Sequence, residues 1–515
     1  MIGMKKILSL AVLTIIFLNG FSQSGQNVFN ESIIHEIRIT FTDVNFWDSL
    51  TTHYDNYLNN GAPKTYMMGV VSIDGVQMDS VGIRQKGFFS NWGSGTSLKK
   101  PLKIDFKEFV NHKFDGLKKL NLANGYGDPT IMRDALAYHF FRKAGLPAPR
   151  TAYAKVYLNN TYWGLYCMVE QIDSEFLEDW YPNDPDGNLY KCINNTNLDW
   201  QGSNWNNYSD EFALKTNKTA NINTRFIDFV NKVNNTPANN FKDSLNSILE
   251  TDAYFSVLAG DVLMYNWDSY YEHGRNFYMY QKPLNNKFNW IPWDYNLAFS
   301  NTSTDIIVDY SGAMATPKPL VKKAQNDTQL RQKYFNRMCH MLNYFSLDSL
   351  ESYIDITATK IRPALNLDPN KFFTIQNFDG AIINDITING QWGLEQIPGL
   401  KSFISGRKST VVGQLNTYGY NCGFGVGIED EEKNELGWKI FPNPLYNKEL
   451  TIKRSGDSGV EVGVVIYSAL GELVYNKKHQ FQNEIKIDLG AYRSGLYIVK
   501  ISENNEFITK RVIKE

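Results

Sequence analysis

The 515-residue chain is poor in cysteine, with four, and almost free of net charge, at -2. Cys167, Cys192, Cys339 and Cys422 lack metal-ligand spacing, so no zinc site is expected from them. In an exported chain Cys167 and Cys192 either pair or stay as buried free thiols, and the sequence leaves both open. The balanced charge offers none of the basic excess that nucleic-acid binding favours. Beyond the N-terminus no run of 18 apolar residues occurs, so no membrane span is expected in the mature chain. No internal repeat is present. Hydrophobic residues at 43% and charged residues at 21% exclude wholesale disorder. What the chain does have is aromatic residues, at 14%, enough for large cores or ring-lined clefts.

The first 22 residues read as a signal peptide. Lys5 and Lys6 precede an apolar stretch, Ile7 to Leu18, followed by Gly20 and Ser22. The stretch is too short to span a bilayer comfortably, and no cysteine follows it to accept lipid. From His35 the pattern alternates as strands do. "HEIRITF" is a first strand, and residues 66–86 form a hairpin about Asp74-Gly75, a strong turn dipeptide. A glycine-bearing loop, Gly87 to Ser97, leads into the strands "KPLKIDF" and "KKLNLAN". The spacing predicts a helix from Asp128, as N-cap, to Gly145. Two more strands, "TAYAKVYLN" and "YWGLYCMVEQI", are followed by a short helix, "DSEFLEDWY". Residues 193–210, rich in Asn, Trp and Ser, read as a surface insertion or loop. Two or three helices fill 222–266. "RNFYMYQK" and "FNWIPWDYN" form a hairpin, and Asp327 to Phe345 is a periodic helix. The stretch 426–437 is acidic and aperiodic, a linker. Seven short alternating segments over 438–515 then predict a small all-β, immunoglobulin-like sandwich.

Chemistry-bearing residues gather at particular places in this pattern. Arg84, Lys86 and Lys103 lie on strands flanking the glycine-bearing loop. Asp268, Asn276 and Asp294 lie about the later hairpin. Strand cations under a loop, followed by Asp, Asn and Asp, suit phosphoryl transfer. The cations neutralise phosphates, one Asp orients the attacking hydroxyl, and the Asn and last Asp hold a divalent metal. By spacing alone each has an ordinary reading too: a solvated strand lysine, a helix-end Asp, a turn Asp bonding its own backbone.

Several ordered motifs resemble the spore-coat-protein-H (CotH) kinase family of atypical, protein-kinase-like enzymes. They are "GIRQKG" with "LKKPLKIDF", "LNLANGYGDPTIMRDALAYHFFRKAGLPAP", "VYLNNTYWGLYCMVEQID", "NWIPWDYNLAFS" and "PLVKKAQNDTQLRQKYFNRM". The resemblance implies an α+β, two-lobed, protein-kinase-like fold, with a small lobe over 30–170 and a large lobe over 171–425. It implies transfer of the ATP γ-phosphate to Ser or Thr of an exported or surface protein, with Mg²⁺ or Mn²⁺. Carried over, Lys103 is the nucleotide-phosphate and catalytic lysine, with Lys86 and Arg84 beside it and Glu170 at the nucleotide cleft. Asp268 orients the substrate hydroxyl, and Asn276 and Asp294 bind metal. Asp128 and Arg133 fall in a family-like stretch and either serve the site or cap and anchor the helix. The sequence also departs from the pattern. "YNWD" stands where protein kinases have "HRD", Asp268 and Asn276 are eight apart, and Asn296 replaces an expected second Asp. No Glu marks the helix after 129, leaving Asp134 as the candidate partner for the lysine.

The segments "WKIFPNP", "ALGELV" and "YRSGLYIVKI" resemble the C-terminal sorting domain of Bacteroidetes type IX secretion. That implies export through the periplasm to the outside or the outer-membrane surface, with the type IX machinery as partner. Two other functions stand beside the kinase. One is a non-catalytic surface protein that binds glycan or protein, suggested by 11 Trp and the 193–210 insertion. The other is transfer of a nucleotidyl group instead of phosphate.

Overall fold

The structure, a computed structural model, describes residues 23–422 apart from 220–222, 312–315 and 391–392, and most of 438–514. The expected signal segment and linker lie outside the described residues. The chain divides into two compact units, Met1–Cys422 and Gly423–Glu515.

The first unit begins with a closed barrel. Its elements are β1 (Ile34–Thr40), α1 (Phe46–Asn60), β2 (Met67–Ile73), β3 (Val76–Gln85), α2 (Phe89–Trp92), β4 (Leu102–Asp105), β5 (Lys119–Ala123), α3 (Arg133–Lys143), β6 (Thr151–Leu158) and β7 (Thr161–Glu170). The strand order is β1-β2-β3-β4-β5-β7-β6, closed by parallel pairing of β1 with β6. Along β1 buried and part-buried residues alternate, so Ile37 and Ile39 enter a core with Val71, Ile83, Ile104, Leu120 and Val156. The β2–β3 hairpin turns at Asp74 and Gly75, both at positive φ (51° and 86°), the twist a two-residue hairpin needs. The loop after β3 is held from inside. Tyr54 of α1 donates to the Gly87 carbonyl at 2.7 Å, and Lys100 donates to the carbonyls of Asn91 and Gly95.

Helix α3 starts later than the sequence pattern predicts. Asp128 accepts from Thr130 N (2.9 Å) and Arg133 N (2.8 Å), closing a turn of its own. Such side-chain bonds compete with helical ones. Ile131 inside this turn sits at φ 55°, so the helix begins only at Arg133. Gly145, at φ 77°, follows its end as expected.

After the barrel come α4 (Ser174–Trp180), β8 (Asn188–Cys192), β9 (Phe212–Leu214), α5 (Thr224–Asn235), α6 (Ala238–Asn246), α7 (Thr251–Leu263), β10 (Phe277–Gln281) and β11 (Phe288–Pro292). The strands form one sheet, ordered β11-β10-β8-β9. Helices α8 (Pro319–Asn326), α9 (Thr328–Leu342), α10 (Leu347–Asn366) and α11 (Ile375–Ile383), the hairpin β12 (Ile386–Gly390) and β13 (Gly393–Ile397), and α12 (Leu400–Thr417) complete the unit. Asp327 caps α9, accepting from Gln329 N and Leu330 N at 2.9 Å. Residues 193–210 are irregular but more than a surface loop. Leu198 and Tyr208 are buried, and Trp205 packs on Tyr190 and Phe226. That inward packing weakens the case for a Trp-based glycan surface there.

Cys167 in β7 and Cys192 in β8 are buried free thiols in different sheets, so the pairing open from sequence does not form. Cys339 of α9 instead bridges to Cys422.

In the second unit β14 (Lys439–Phe441), β15 (Glu449–Lys453), β16 (Val460–Ser468), β17 (Leu473–Phe481), β18 (Glu484–Asp488), β19 (Gly495–Glu503) and β20 (Glu506–Lys514) form two sheets, β14-β15-β18 and β17-β16-β19-β20. Ile452 and Ile487 of the first and Val464, Ile466 and Val499 of the second share one core, with Trp438.

The disulfide joins positions 83 residues apart. Chain-entropy arguments assign a loop of that length about 4 kcal/mol. Replacing Cys339 and Cys422 together by Ser is expected to lower the stability of the first unit by roughly 2–4 kcal/mol. The readout is the urea midpoint of that unit under non-reducing conditions, and an unchanged midpoint would contradict the expectation.

Candidate functional site

The site is organised around the end of β11. All five residues of that strand are buried, and Pro292 ends it because proline cannot donate to a ladder. Asp294 then adopts φ 63°, unusual for a residue other than glycine. Helix α3 holds it there. Asp294 N donates to Tyr138 Oη at 2.8 Å, and Tyr295 N donates to Asp134 Oδ1 at 2.7 Å. Asp134 and Tyr138 are one turn apart on the helix, so their side chains reach the same stretch of backbone. The Asp294 carboxylate itself receives no protein hydrogen bond among the described residues. Burial raises its pKa, and Lys86, Lys191 and Arg275 oppose the rise.

Asp268 and Asn276 meet despite their separation. Asn276 Nδ2 donates to both the carbonyl and Oδ2 of Asp268, each at 2.9 Å. On the other side of the carboxylate, Oδ1 lies 3.4 Å from His273 Nδ1 and 3.6 Å from Arg275 Nε. Burial pushes the Asp268 pKa up to about 6; Arg275 draws it down and Asp294 adds to the rise. Asp268, Asn276 and Asp294 therefore share one electrostatic neighbourhood, bridged by Arg275.

The cations come from the barrel. Lys86 follows β3, and its ammonium lies 5.7 Å from the Trp293 ring centre. Burial lowers its pKa to about 8, with Asp294 holding it up and Lys191 and Arg84 lowering it further. Lys103 of β4 sits in register with Arg84 of β3 and donates to Gln171 Oε1. Burial, then the neighbouring Lys86 and Arg84, lower its pKa well below the ordinary range. Arg84 itself turns away, donating to the Gln85 carbonyl and lying over the Tyr66 ring. Among the described residues neither Lys86 nor Lys103 has a carboxylate within 4.0 Å.

Glu170, expected at the cleft, is placed elsewhere. It is buried against Arg150, whose N and Nε donate to Oε2 at 2.9 and 3.1 Å. Arg150 also approaches Asp179. Glu170 is thus spent on an internal ion pair, and its neighbour Gln171 makes the contact to Lys103. Asp128 and Arg133 act as anchors. Arg133 is buried and donates from Nη1 to the Ala298 carbonyl at 2.6 Å and from Nη2 to the Pro398 carbonyl at 3.2 Å.

Asp134, the candidate partner for the lysine, and residues that the sequence did not single out complete the site. Asp134 faces Asp294 and Lys86. Burial first, then Asp294, raise its pKa to about 7. Lys191 of β8 and Arg275 add positive charge. A signal for Lys191 existed, since it is the one charged residue in the strand "NLYKC". Tyr138 had none, because its role is to accept a backbone N–H from a segment more than 150 residues away. A cavity of about 70 Å³ lies among Lys86, Asp134, Tyr138, Val169, Trp293 and Asp294. A larger one, about 740 Å³, opens beyond His273, with Glu211, Glu272 and Tyr310 in its wall.

A mixed α/β unit thus carries a cleft of carboxylates facing unpaired lysines, and a separate β-sandwich follows it. Residues 83–411 match the family described as CotH kinase protein, and the chain belongs to that family. Residues 439–515 match the secretion system C-terminal sorting domain, which marks the chain for the cell surface or the exterior through the type IX machinery. No helix among the described residues is long and apolar enough to cross a membrane. The chain is similar to the inner spore coat protein H of Bacillus subtilis, 26% identical over 295 residues, covering 53% of this chain and 78% of that protein. A DUF3244 family protein of Bacteroides vulgatus with an immunoglobulin-like β-sandwich fold aligns with 16% of this chain and 88% of its own, at 21% identity and a TM-score of 0.14.

Lys86 gives the site a pH signature. Between about pH 8 and the ordinary lysine value of 10.5 the unfolded chain keeps this proton and the folded one releases it. Stability should therefore rise with pH across that window. Lys86→Met is expected to remove this slope and to stabilise the ligand-free protein at pH 7 by roughly 1–3 kcal/mol. Urea unfolding at a series of pH values reads both, and a destabilised variant at pH 7 would contradict the burial of an unpaired charge.

Proposed function

We propose that the chain is a secreted protein kinase that transfers the γ-phosphate of ATP to Ser or Thr of an exported or surface protein. One observation carries this reading: part-buried lysines without carboxylate partners face a part-buried carboxylate without a protein donor. Leaving ionic groups so disposed is costly unless a ligand completes them. A polyphosphate with a divalent cation does so for both signs at once.

In this reading the barrel is the small lobe, and the helices and sheet after Glu170 are the large one. Lys86 faces Asp294 and Asp134, so Lys86 takes the phosphate-binding part that the sequence pattern gave to Lys103. Lys103 then sets the Gln171 side chain where the lobes join. Asp134 stands where other kinases place a helix Glu. Asp294 and the Oδ1 of Asn276 would hold Mg²⁺ or Mn²⁺, and Asp268 Oδ2 accepts the Asn276 amide, which aims that oxygen. The metal would supply charge compensation at the transferring phosphate. Asp268 orients the acceptor hydroxyl and takes its proton. His273 and Arg275 keep the Asp268 carboxylate in place, and the larger cavity beyond His273 gives an acceptor chain room to approach. The small cavity holds only about two waters' volume, so the lobes must part to admit nucleotide. Asn296 favours a second reading, a site that binds nucleotide without catalysis. Its amide lies 3.5 Å from the Tyr126 carbonyl and adds no charge beside Asp294.

Labelled ATP, Mg²⁺ or Mn²⁺ and Ser-rich exported proteins test the proposal. The wild type is expected to incorporate phosphate, Asp294→Ala to lose at least a thousandfold in rate, and Lys86→Met to lose more than Lys103→Met. Incorporation that persists in Asp294→Ala would refute it, and mass spectrometry of the product separates phosphate from a nucleotidyl group.

A further inference from the structure

The central strand β8 carries one charged side chain, Lys191, and nothing in the roles above uses it. Lys191 pairs in register with Tyr278 of β10. Its ammonium lies 5.4 Å from the centre of the Tyr278 ring and 5.3 Å from that of Trp293. The same Trp293 ring has the Lys86 ammonium at 5.7 Å. One indole, next in sequence to Asp294, is therefore approached by two ammonium groups, one from the barrel and one from the sheet.

Like charges so close repel, and ring faces at these distances return only part of that cost. Among the described residues Lys191 has no carboxylate within 4.0 Å. The rings fix its direction without using its three N–H donors, which remain for a ligand. An anion seated beside Asp294 would meet Lys86 from one lobe and Lys191 from the other.

We propose that Lys191 is a second phosphate-binding lysine, supplied by the sheet and held on Tyr278 and Trp293, and that together with Lys86 it selects the donor by the number of its phosphates. This rests on the nucleotide-binding reading of the cleft. Two ammoniums on separate elements grip two phosphates of one chain. A monophosphate reaches one of them and gains little from the other. The added contact also ties the barrel to the sheet, so a triphosphate favours the closed cleft more than a monophosphate does.

Calorimetric titration of the full chain with ATP, ADP and AMP, each with Mg²⁺, tests this on wild type, Lys191→Met and Lys191→Arg. Wild type is expected to bind ATP at least tenfold tighter than AMP. Lys191→Met should lose tenfold or more for ATP while AMP changes less than twofold, and Lys191→Arg should retain most of the preference. Equal weakening of ATP and AMP in Lys191→Met, or no weakening, would overturn the assignment and leave nucleotide binding intact. A wild type that binds none of the three would overturn the nucleotide reading itself. Matching melting curves for wild type and Lys191→Arg show that the strand still folds with a cation there.

Discussion

The grip of α3 on the end of β11 is the constraint on which the rest depends. Two adjacent backbone N–H groups, of Asp294 and Tyr295, are taken by two side chains one helical turn apart. Arg133, at the start of the same helix, takes the carbonyl of Ala298. Tyr295 then donates to Asp261 of α7, and Phe299 N to the Met264 carbonyl. Asp294 and Phe299 both sit at positive φ, each costing on the order of 1 kcal/mol or more. Hydrogen bonds from three directions offset that cost. The result is a carboxylate that cannot turn inward to find a partner and must face the barrel.

The same chain shows what a purely structural buried lysine looks like. Lys99 and Asp368 are wholly buried and 2.5 Å apart. Asp368 also accepts Leu165 N and Asn370 N, so every charge is answered. Arg407, equally buried, donates to the carbonyls of Thr302, Thr304 and Val262. Against these, Lys86, Lys103 and Lys191 have no carboxylate within 4.0 Å among the described residues. Sites poised for a ligand are often costly to the empty protein, which is the usual tension between stability and activity. The aromatic rings serve this economy. Trp293 and Tyr278 shield the ammoniums without neutralising them.

Much of this was legible in the sequence, and the limits have physical reasons. The first barrel strands, β1 and β2, could be read because each buries one face and alternates. The Asp74-Gly75 turn announced itself by residue type. Asp268, Asn276 and Asp294 were marked out as polar residues at the ends of apolar segments, and they do share one neighbourhood. What could not be read was which way side chains turn. Glu170 ends a strand at the expected place but meets Arg150, because Arg150, just before β6, lies beside it on the neighbouring strand. Lys103 and Lys86 look equivalent in sequence, yet only the register of β3 with β4 and the placement of α3 bring Lys86 to Asp294. The late start of α3 followed from Asp128 bonding locally, where the helical pattern suggested a cap.

The central claim is that this cleft binds a metal nucleotide through Asp294. Melting temperature under titration with ATP and Mg²⁺, on wild type and Asp294→Ala, tests it most directly, because a ligand that binds only the folded state must stabilise it. The account predicts a rise of several degrees in the wild type that saturates with ATP and disappears in the variant. No rise in the wild type, or an equal rise in Asp294→Ala, would contradict it.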